Sequence, residues 1–191
     1  ESSQPTITVA IPPTIICPSA PILNNVIVRN NSATDWNGEG NNYGGGIYVR
    51  SNSAPVLNNV TISNNSAKNG AAIYLTTNSN SQFNATSIDN NHATDYGGGV
   101  YSTSTSISSF FNSHIYENQS ENGSGLYLTE TSTINLDSIY IYNNNATQYG
   151  AGIYSYGSSN LTMSNSELNS NVSGDNGAGI FPGCLEGALC L

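Results

Sequence analysis

One five-residue motif recurs six times along the 191-residue chain at an almost constant spacing. Each copy runs glycine, two small residues, an aliphatic residue and an aromatic residue, and successive copies begin 26 or 27 residues apart. The copies begin at Gly44, Gly70, Gly97, Gly123, Gly150 and Gly177. A fixed motif at a period of this size is typical of an array in which similar structural units stack on one another.

Two further positions recur with the same period. In each repeat an aliphatic residue is followed three positions later by asparagine, and another apolar residue stands five positions before that aliphatic residue. The aliphatic residues and their asparagines are Val28 with Asn31, Ile62 with Asn65, Ile88 with Asn91, Ile115 with Asn118, Ile141 with Asn144, and Leu168 with Asn171. The preceding apolar residues are Leu23, Leu57, Phe83, Phe110, Leu136 and Met163. With the aliphatic residue of the glycine motif, each repeat has three apolar anchor points.

Around these anchors the side chains alternate with period two, which predicts three short strands per repeat, separated by corners. Neither helical periodicity nor a hairpin dipeptide recurs at a fixed place. The sequence therefore predicts an all-β chain folded as a parallel β-helix of about six coils of 26–27 residues. We expect an N-terminal arm or cap over residues 1–20, the β-helix over 21–181, and a cysteine-containing tail over 182–191. The apolar columns would form inward ladders, and each asparagine amide would bond to the next coil's amide or backbone.

These motifs carry a family resemblance. An aliphatic residue three positions before asparagine, followed by a GGGI-like segment, resembles the FxxN and GGAI repeats of the polymorphic outer membrane proteins, within the pectin-lyase-like β-helix group. The resemblance covers about residues 21–181, with Ile, Val or Leu in place of that family's Phe. It implies a right-handed solenoid used for surface adhesion or as passenger structure.

The chain is poor in charge and acidic. Only 8% of its residues are charged, and three basic residues against twelve acidic ones give a net charge of -9. Because nucleic acids are bound through several Lys or Arg side chains, this balance excludes nucleic-acid binding. No apolar run approaches the roughly 18 residues of a membrane span, and no signal peptide is visible after Glu1. We therefore expect a soluble, processed form with no membrane span.

Nine Asn-x-Ser/Thr sequons favour secretion and N-glycosylation, although a chain rich in Asn, Ser and Thr could carry them as a by-product. Asn118 and Asn171 belong to the asparagine column, so we expect less occupancy there. We expect glycans at Asn30, Asn59, Asn64, Asn84, Asn122, Asn145 and Asn160.

Three cysteines, Cys17, Cys184 and Cys190, are disulfide candidates in an oxidising compartment. Cys184 and Cys190 could pair with each other. Cys17 lies about six coils away, roughly 29 Å at the strand spacing, whereas a disulfide needs Cα atoms within about 7 Å. Head-to-tail stacking of subunits would bring Cys17 close to a neighbour's tail cysteines. The rival interpretation is a piece cut from a longer solenoid.

No residue set predicts a catalytic, cofactor-binding or metal site. The carboxylates fall in different columns, and His92 and His114 also stand in different columns. The carboxylates considered are Asp35, Asp89, Asp95, Asp137 and Asp175.

One face remains as a candidate. Alternation directs the aromatic residue of each glycine motif outward. These residues include Tyr48, Tyr74, Tyr101, Tyr127 and Tyr154. Such a flat stripe could stack on sugar rings or pack against a neighbouring subunit, or it could be ordinary β-surface in which tyrosine is favoured by strand propensity.

Together these features favour a non-catalytic, extracellular structural or adhesive solenoid, secreted or at the cell surface. Its partners would be further copies of itself, in a head-to-tail filament, or cell-surface glycans. The alternative is a carbohydrate-binding or polysaccharide-degrading β-helix protein. An ice-binding solenoid is less favoured because its threonine column is interrupted.

Overall fold

The computed structural model describes residues 19–34, 40 and 42–183, which form β-strands joined by corners and loops. The chain winds as a parallel solenoid, since strands pair in parallel with their equivalents in adjacent coils. Four sheets run along the solenoid, and we number them I to IV in the order in which one coil visits them.

Sheets I and II contain six strands each, one from every coil. Sheet I consists of β1 (Ile22–Asn24), β4 (Val56–Asn58), β8 (Asn80–Asn84), β12 (Ile107–Phe111), β16 (Thr133–Asp137) and β20 (Asn160–Ser164). Sheet II consists of β2 (Ile27–Arg29), β5 (Thr61–Ser63), β9 (Ser87–Asp89), β13 (His114–Tyr116), β17 (Tyr140–Tyr142) and β21 (Glu167–Asn169).

Sheet III has five strands and sheet IV has six. Sheet III consists of β6 (Ser66–Asn69), β10 (His92–Tyr96), β14 (Gln119–Ser120), β18 (Asn145–Ala146) and β22 (Val172–Ser173). Sheet IV consists of β3 (Ile47–Val49), β7 (Ile73–Leu75), β11 (Val100–Ser102), β15 (Leu126–Leu128), β19 (Ile153–Tyr156) and β23 (Ile180–Gly183).

The prediction of a parallel β-helix is confirmed, with two differences in detail. Sheets I, II and IV have strands from six coils, but the first coil is incomplete because its Ser32 forms only an isolated bridge to Ser66 where sheet III would begin. The solenoid therefore makes about five complete turns, slightly fewer than expected. Each later coil has four strands instead of three. The extra strand is the segment after the ladder asparagine, which pairs as sheet III while small side chains such as Ala67 and Ala93 point inward.

The core consists of the three predicted apolar ladders. Leu57, Phe83 and Phe110 are aligned in sheet I with relative exposures of 0–1%. The ring of Phe83 stacks on that of Phe110, with centroids 4.3 Å apart. The aliphatic columns of sheets II and IV are in register in the same way. Each fully buried aliphatic side chain stabilises the fold by about 1.5–3 kcal/mol, so these ladders hold a narrow solenoid together.

Corners require a left-handed backbone, which explains the abundance of asparagine and glycine. Asn25, Asn64 and Gly97 have φ values of 56°, 54° and 65° at three different corners. Asparagine and glycine tolerate this region better than other residues do. Gly45 follows the left-handed Gly44 and must lack a side chain, because a Cβ at Gly45 would lie 2.3 Å from the carbonyl oxygen of Ser66.

Candidate functional site

A buried asparagine ladder runs along the corner between sheets II and III. The backbone N–H and Nδ2 of Asn65 donate to Oδ1 of Asn91 at 2.9 and 3.0 Å, and Nδ2 also donates to the carbonyl oxygen of Val28 at 3.1 Å. The same pattern continues through Asn118 and Asn144, which are fully buried. The predicted amide ladder is therefore confirmed, and every polar atom of its inner amides has a partner, as burial demands.

The ladder has a direction, so its two ends differ chemically. Each asparagine donates toward the C-terminal neighbour and accepts from the N-terminal one. Asn31 donates to Asn65, but no donor among the described residues reaches its own Oδ1. Asn171 accepts from Asn144, and its backbone N–H has no acceptor in the described part of the chain. Within the described residues, the ladder therefore ends in an acceptor on the N-terminal side and in a donor on the C-terminal side.

The last described coil is also open to solvent on its apolar side. Ile180 is 44% exposed, whereas Ile153, its equivalent one coil earlier, is fully buried. Three further inward residues of this coil are only partly buried, namely Leu161, Met163 and Leu168. The strands β20 to β23 pair on one side only among the described strands. An unpaired rung of this kind is a template for another chain.

The tyrosines of the glycine motif stack along sheet IV as a continuous aromatic ladder. The ring centroids of Tyr74 and Tyr101 lie 4.8 Å apart and nearly parallel, and those of Tyr127 and Tyr154 lie 4.8 Å apart. The spacing equals the distance between strands, so the rings stack face to face along the solenoid axis. Tyr48 continues the row at 5.3 Å from Tyr74 in a tilted arrangement.

This row is not the flat exposed stripe expected from the sequence, because a second set of tyrosines covers it. Tyr43, which precedes a corner glycine, stacks on Tyr74 at 4.7 Å, and Tyr96 stacks on Tyr127 at 4.8 Å. Tyr74 and Tyr127 are each only 9% exposed. Tyr48, Tyr101 and Tyr154 lie on the same face and are half-buried. The face is therefore a packed aromatic layer, and its role in binding stays a prediction.

Burial in this layer changes the acidity of the phenols. Desolvation, assisted by the Glu130 carboxylate and neighbouring tyrosines, raises the pKa of Tyr101 to about 12. Desolvation and adjacent tyrosines also raise the pKa of Tyr74 and of Tyr127 well above the ordinary value. The neutral phenol is thus the form that the layer stabilises.

The predicted glycosylation sites differ in accessibility. Asn84 is half-buried in sheet I, where its Nδ2 donates to Asn58. Asn122, another predicted site, is 6% exposed and its Oδ1 accepts the backbone N–H of Tyr149, and its occupancy stays a prediction. The exposed sites are Asn30, Asn59, Asn64, Asn145 and Asn160. Their occupancy stays a prediction.

A second aromatic cluster, on sheet II, was not anticipated from the sequence. His114 stacks on Tyr140 with centroids 5.1 Å apart, and Tyr116 stacks on Tyr142 at 4.9 Å. Tyr140 is 45% exposed and His114 is exposed as well. The alternation His-Ile-Tyr and Tyr-Ile-Tyr in successive repeats was the available signal. We call these four side chains the sheet II aromatic block.

The ionisable residues considered for chemistry are spread over different faces. His92 lies on sheet III beside an open groove of about 220 Å³, whereas His114 lies on sheet II. Asp95 faces Lys68 at 3.7 Å, and Asp137 lies on sheet I. Within the described residues, no three His, Cys, Asp or Glu side chains gather as metal ligands do.

Several sequence-based expectations fall outside the described residues. These are the disulfide candidates Cys17, Cys184 and Cys190, together with Asp35. In the described part of the chain, there is no helix of the length and apolarity that a membrane crossing requires.

Comparison with known families agrees with the fold. A family model described as a right handed beta helix region matches residues 24–183, most of the chain. Comparison with curated proteins and with solved structures finds no match. The finer resemblance to polymorphic outer membrane protein repeats stays a prediction.

Proposed function

Because the chain belongs to the right-handed β-helix family, we propose that it is a non-catalytic structural subunit that stacks head to tail into a filament. The subunit would be secreted and N-glycosylated, and would act outside the cell or at its surface. A right-handed solenoid suits this role, since every rung presents nearly the same hydrogen-bonding pattern to the next.

The direction of the asparagine ladder carries the proposal. Stacking the last coil of one subunit on the first coil of the next would let the backbone N–H of Asn171 donate to Oδ1 of the neighbour's Asn31. Head-to-head contact would instead oppose two acceptors, and tail-to-tail contact would oppose two donors. Because a buried polar group without a partner is costly, the ladder favours the head-to-tail joint.

Apolar and aromatic contacts support the same joint. The exposed part of Ile180 would be covered by Ile47 of the next subunit, which occupies the same column. Phe181 stacks on Tyr154 with centroids 5.3 Å apart, and its other face would meet the neighbour's Tyr48. The joint would thus repeat contacts that already occur inside the solenoid.

Charge differs between the two ends. The first coil carries both arginines of the chain, Arg29 and Arg50, together with Asp35 and Glu39, whereas the last coil carries Glu167 and Asp175 and no basic residue. Two acidic last coils would repel each other, so charge opposes tail-to-tail contact. A contact between unlike ends does not close on itself, so its repetition gives a filament.

A pair of lysine substitutions tests the proposal. Ile180→Lys places a charge on the end rung, and Ile107→Lys is the matched control, because Ile107 is 46% exposed on the flank of sheet I. We expect the unmodified chain and the control to form filaments in sedimentation velocity and negative-stain microscopy. Ile180→Lys should stay monomeric, with unchanged circular dichroism. A native chain that is monomeric at all concentrations, or equal assembly by both variants, would contradict the proposal.

A further inference from the structure

Sheet II carries an aromatic surface that the stacking function does not use. Sheet IV has an aromatic residue in every coil, as expected of rings that stabilise a solenoid by stacking. The outward positions of sheet II carry rings only in β13 and β17. The rungs on either side of the block carry polar side chains instead, so the block has two uncovered end faces.

One of these end faces rises from a floor of short polar side chains. In the adjacent strand β9, Ser87 aligns with His114, and Asp89 aligns with Tyr116. One strand further, β5 aligns the half-buried Thr61 with Ser87 and the buried Ser63 with Asp89. Because these side chains are much shorter than the rings, the ring faces of the two aromatic residues form a wall above the floor. We call the rings of His114 and Tyr116, with Ser87 and Asp89 below them, the sheet II step. Each strand of the floor adds about 4.8 Å of width along the solenoid axis.

The Asp89 carboxylate on this floor is held in place by two hydrogen bonds. Its Oδ1 accepts a hydrogen bond from Ser87 Oγ at 3.2 Å, and its Oδ2 accepts one from Asn90 Nδ2 at 3.1 Å. A carboxylate has about four acceptor positions, so each oxygen keeps capacity for a further donor. Asp89 is half-buried beside Tyr116 and therefore presents oriented acceptors next to an apolar ring face.

We propose that this step on sheet II is a saccharide-binding site that takes an uncharged pyranose. The apolar C–H face of the sugar ring would stack on Tyr116 and His114, and its vicinal hydroxyls would donate to Asp89. Aromatic side chains supply large rigid contact area, and a few fixed polar groups supply orientation, which is the usual composition of a small-ligand site.

The charge around the step selects among sugars. Desolvation and Tyr116 raise the pKa of the Tyr142 phenol, and the nearby carboxylates of Glu117 and Asp89 add smaller contributions in the same direction. An acidic sugar stacked on Tyr116 would lie beside the Asp89 carboxylate, whereas Arg29, the cation aligned with this column, stands two strands away from Asp89. The net charge of the chain, -9, adds to the repulsion. Neutral hexoses and N-acetylhexosamines therefore fit better than uronic acids. The site lies on the flank of the solenoid, so it is available in the monomer and in a filament.

Titration calorimetry with the full chain tests this site. The probes are neutral trisaccharides of glucose, galactose, mannose and N-acetylglucosamine, with trigalacturonic acid as the charged comparison. We expect at least one neutral probe to bind and the charged probe to bind at least tenfold more weakly. Tyr116→Ala and Asp89→Asn should each weaken the binding at least tenfold.

Sheet I supplies the matched controls Phe111→Ala and Asp137→Asn, because the exposed Phe111 ring is aligned with the half-buried Asp137 carboxylate and neither belongs to a four-ring block. The controls should leave the affinity unchanged. Absence of binding by every neutral probe, or equal loss in test and control variants, would overturn the assignment. So would a change in lateral filament association without any sugar binding, which would make the block a contact between subunits.

Discussion

At the scale of single residues, stability depends on which side of the strand a side chain faces. Ile88 is fully buried between Ile62 and Ile115 of adjacent coils, whereas three positions later Asn91 is equally buried and fully hydrogen-bonded. An amide is therefore tolerated in the interior only at the ladder position, where partners above and below satisfy it.

Ile88→Asn should consequently destabilise the solenoid strongly. The variant loses apolar burial and leaves an amide without partners, and the two effects together are worth about 3–5 kcal/mol. Chemical denaturation monitored by circular dichroism measures the loss. Ile107→Asn, at an exposed position of sheet I, is the control and should change the free energy of unfolding by less than about 1 kcal/mol. Equal stability of the two variants would contradict the inward assignment of Ile88.

At the scale of sheets, the aromatic layer of sheet IV depends on two repeating positions together. The tyrosines of the glycine motif form one row, and residues preceding the corner glycine form the other. In that second row tyrosine alternates with asparagine, as in Tyr96 followed by Asn122 one coil later. Asn122 accepts the backbone N–H of Tyr149, so the intervening coils are held by a hydrogen bond instead of a ring.

Burial of the phenols predicts a loss of stability at alkaline pH. An unfolded tyrosine loses its proton near pH 10, whereas Tyr101 in the folded chain has a pKa of about 12. Above pH 10 the unfolded state therefore binds fewer protons than the folded state, so the free energy of unfolding falls as pH rises. The stabilisation is complete below about pH 10 and is lost as pH approaches the folded pKa.

Urea denaturation over this pH range measures the slope, and near-ultraviolet absorbance reports phenolate formation. Tyr101→Phe keeps the stacked ring but removes the titrating group, so its stability should fall less steeply with pH. A wild-type slope of zero, or identical slopes for the two chains, would show that the layer does not hold its phenols neutral.

At the scale of the whole molecule, the proposed filament accounts for an odd number of cysteines. Cys17 and the tail cysteines lie near opposite ends of the sequence, and head-to-tail stacking would bring those ends together at each joint. A disulfide requires Cα atoms within about 7 Å, which a joint permits more readily than a single solenoid does.

Gels with and without reductant should therefore show covalent oligomers that collapse to monomer when reduced. Peptide mass spectrometry of native material should find Cys17 linked to Cys184 or Cys190. The variant Cys17→Ser should lose the covalent oligomers while it still forms filaments held by non-covalent contacts. Recovery of Cys17 as a free thiol in a sample without filaments would argue for a monomeric adhesin.

The sequence alone determined the solenoid, because a repeat of 26–27 residues assigns each side chain to a column. Leu57, Ile88 and Asn118 were assigned to inward columns in this way, and all three are buried there. Alternation then separates inward from outward side chains wherever a strand forms. The short segment of sheet III escaped prediction because its inward residues, such as Ala93, are too small to give an apolar signal.

The tertiary structure decided which outward side chains are accessible. Tyr74 is covered by Tyr43 of the preceding coil, 31 positions earlier, and no periodic pattern indicates that one ring leans over another. His114 and Tyr140 become neighbours only because equivalent strands align in register. Column membership follows from the repeat, whereas exposure and contact on the outer surface depend on the size and direction of side chains in adjacent coils, which the period does not specify.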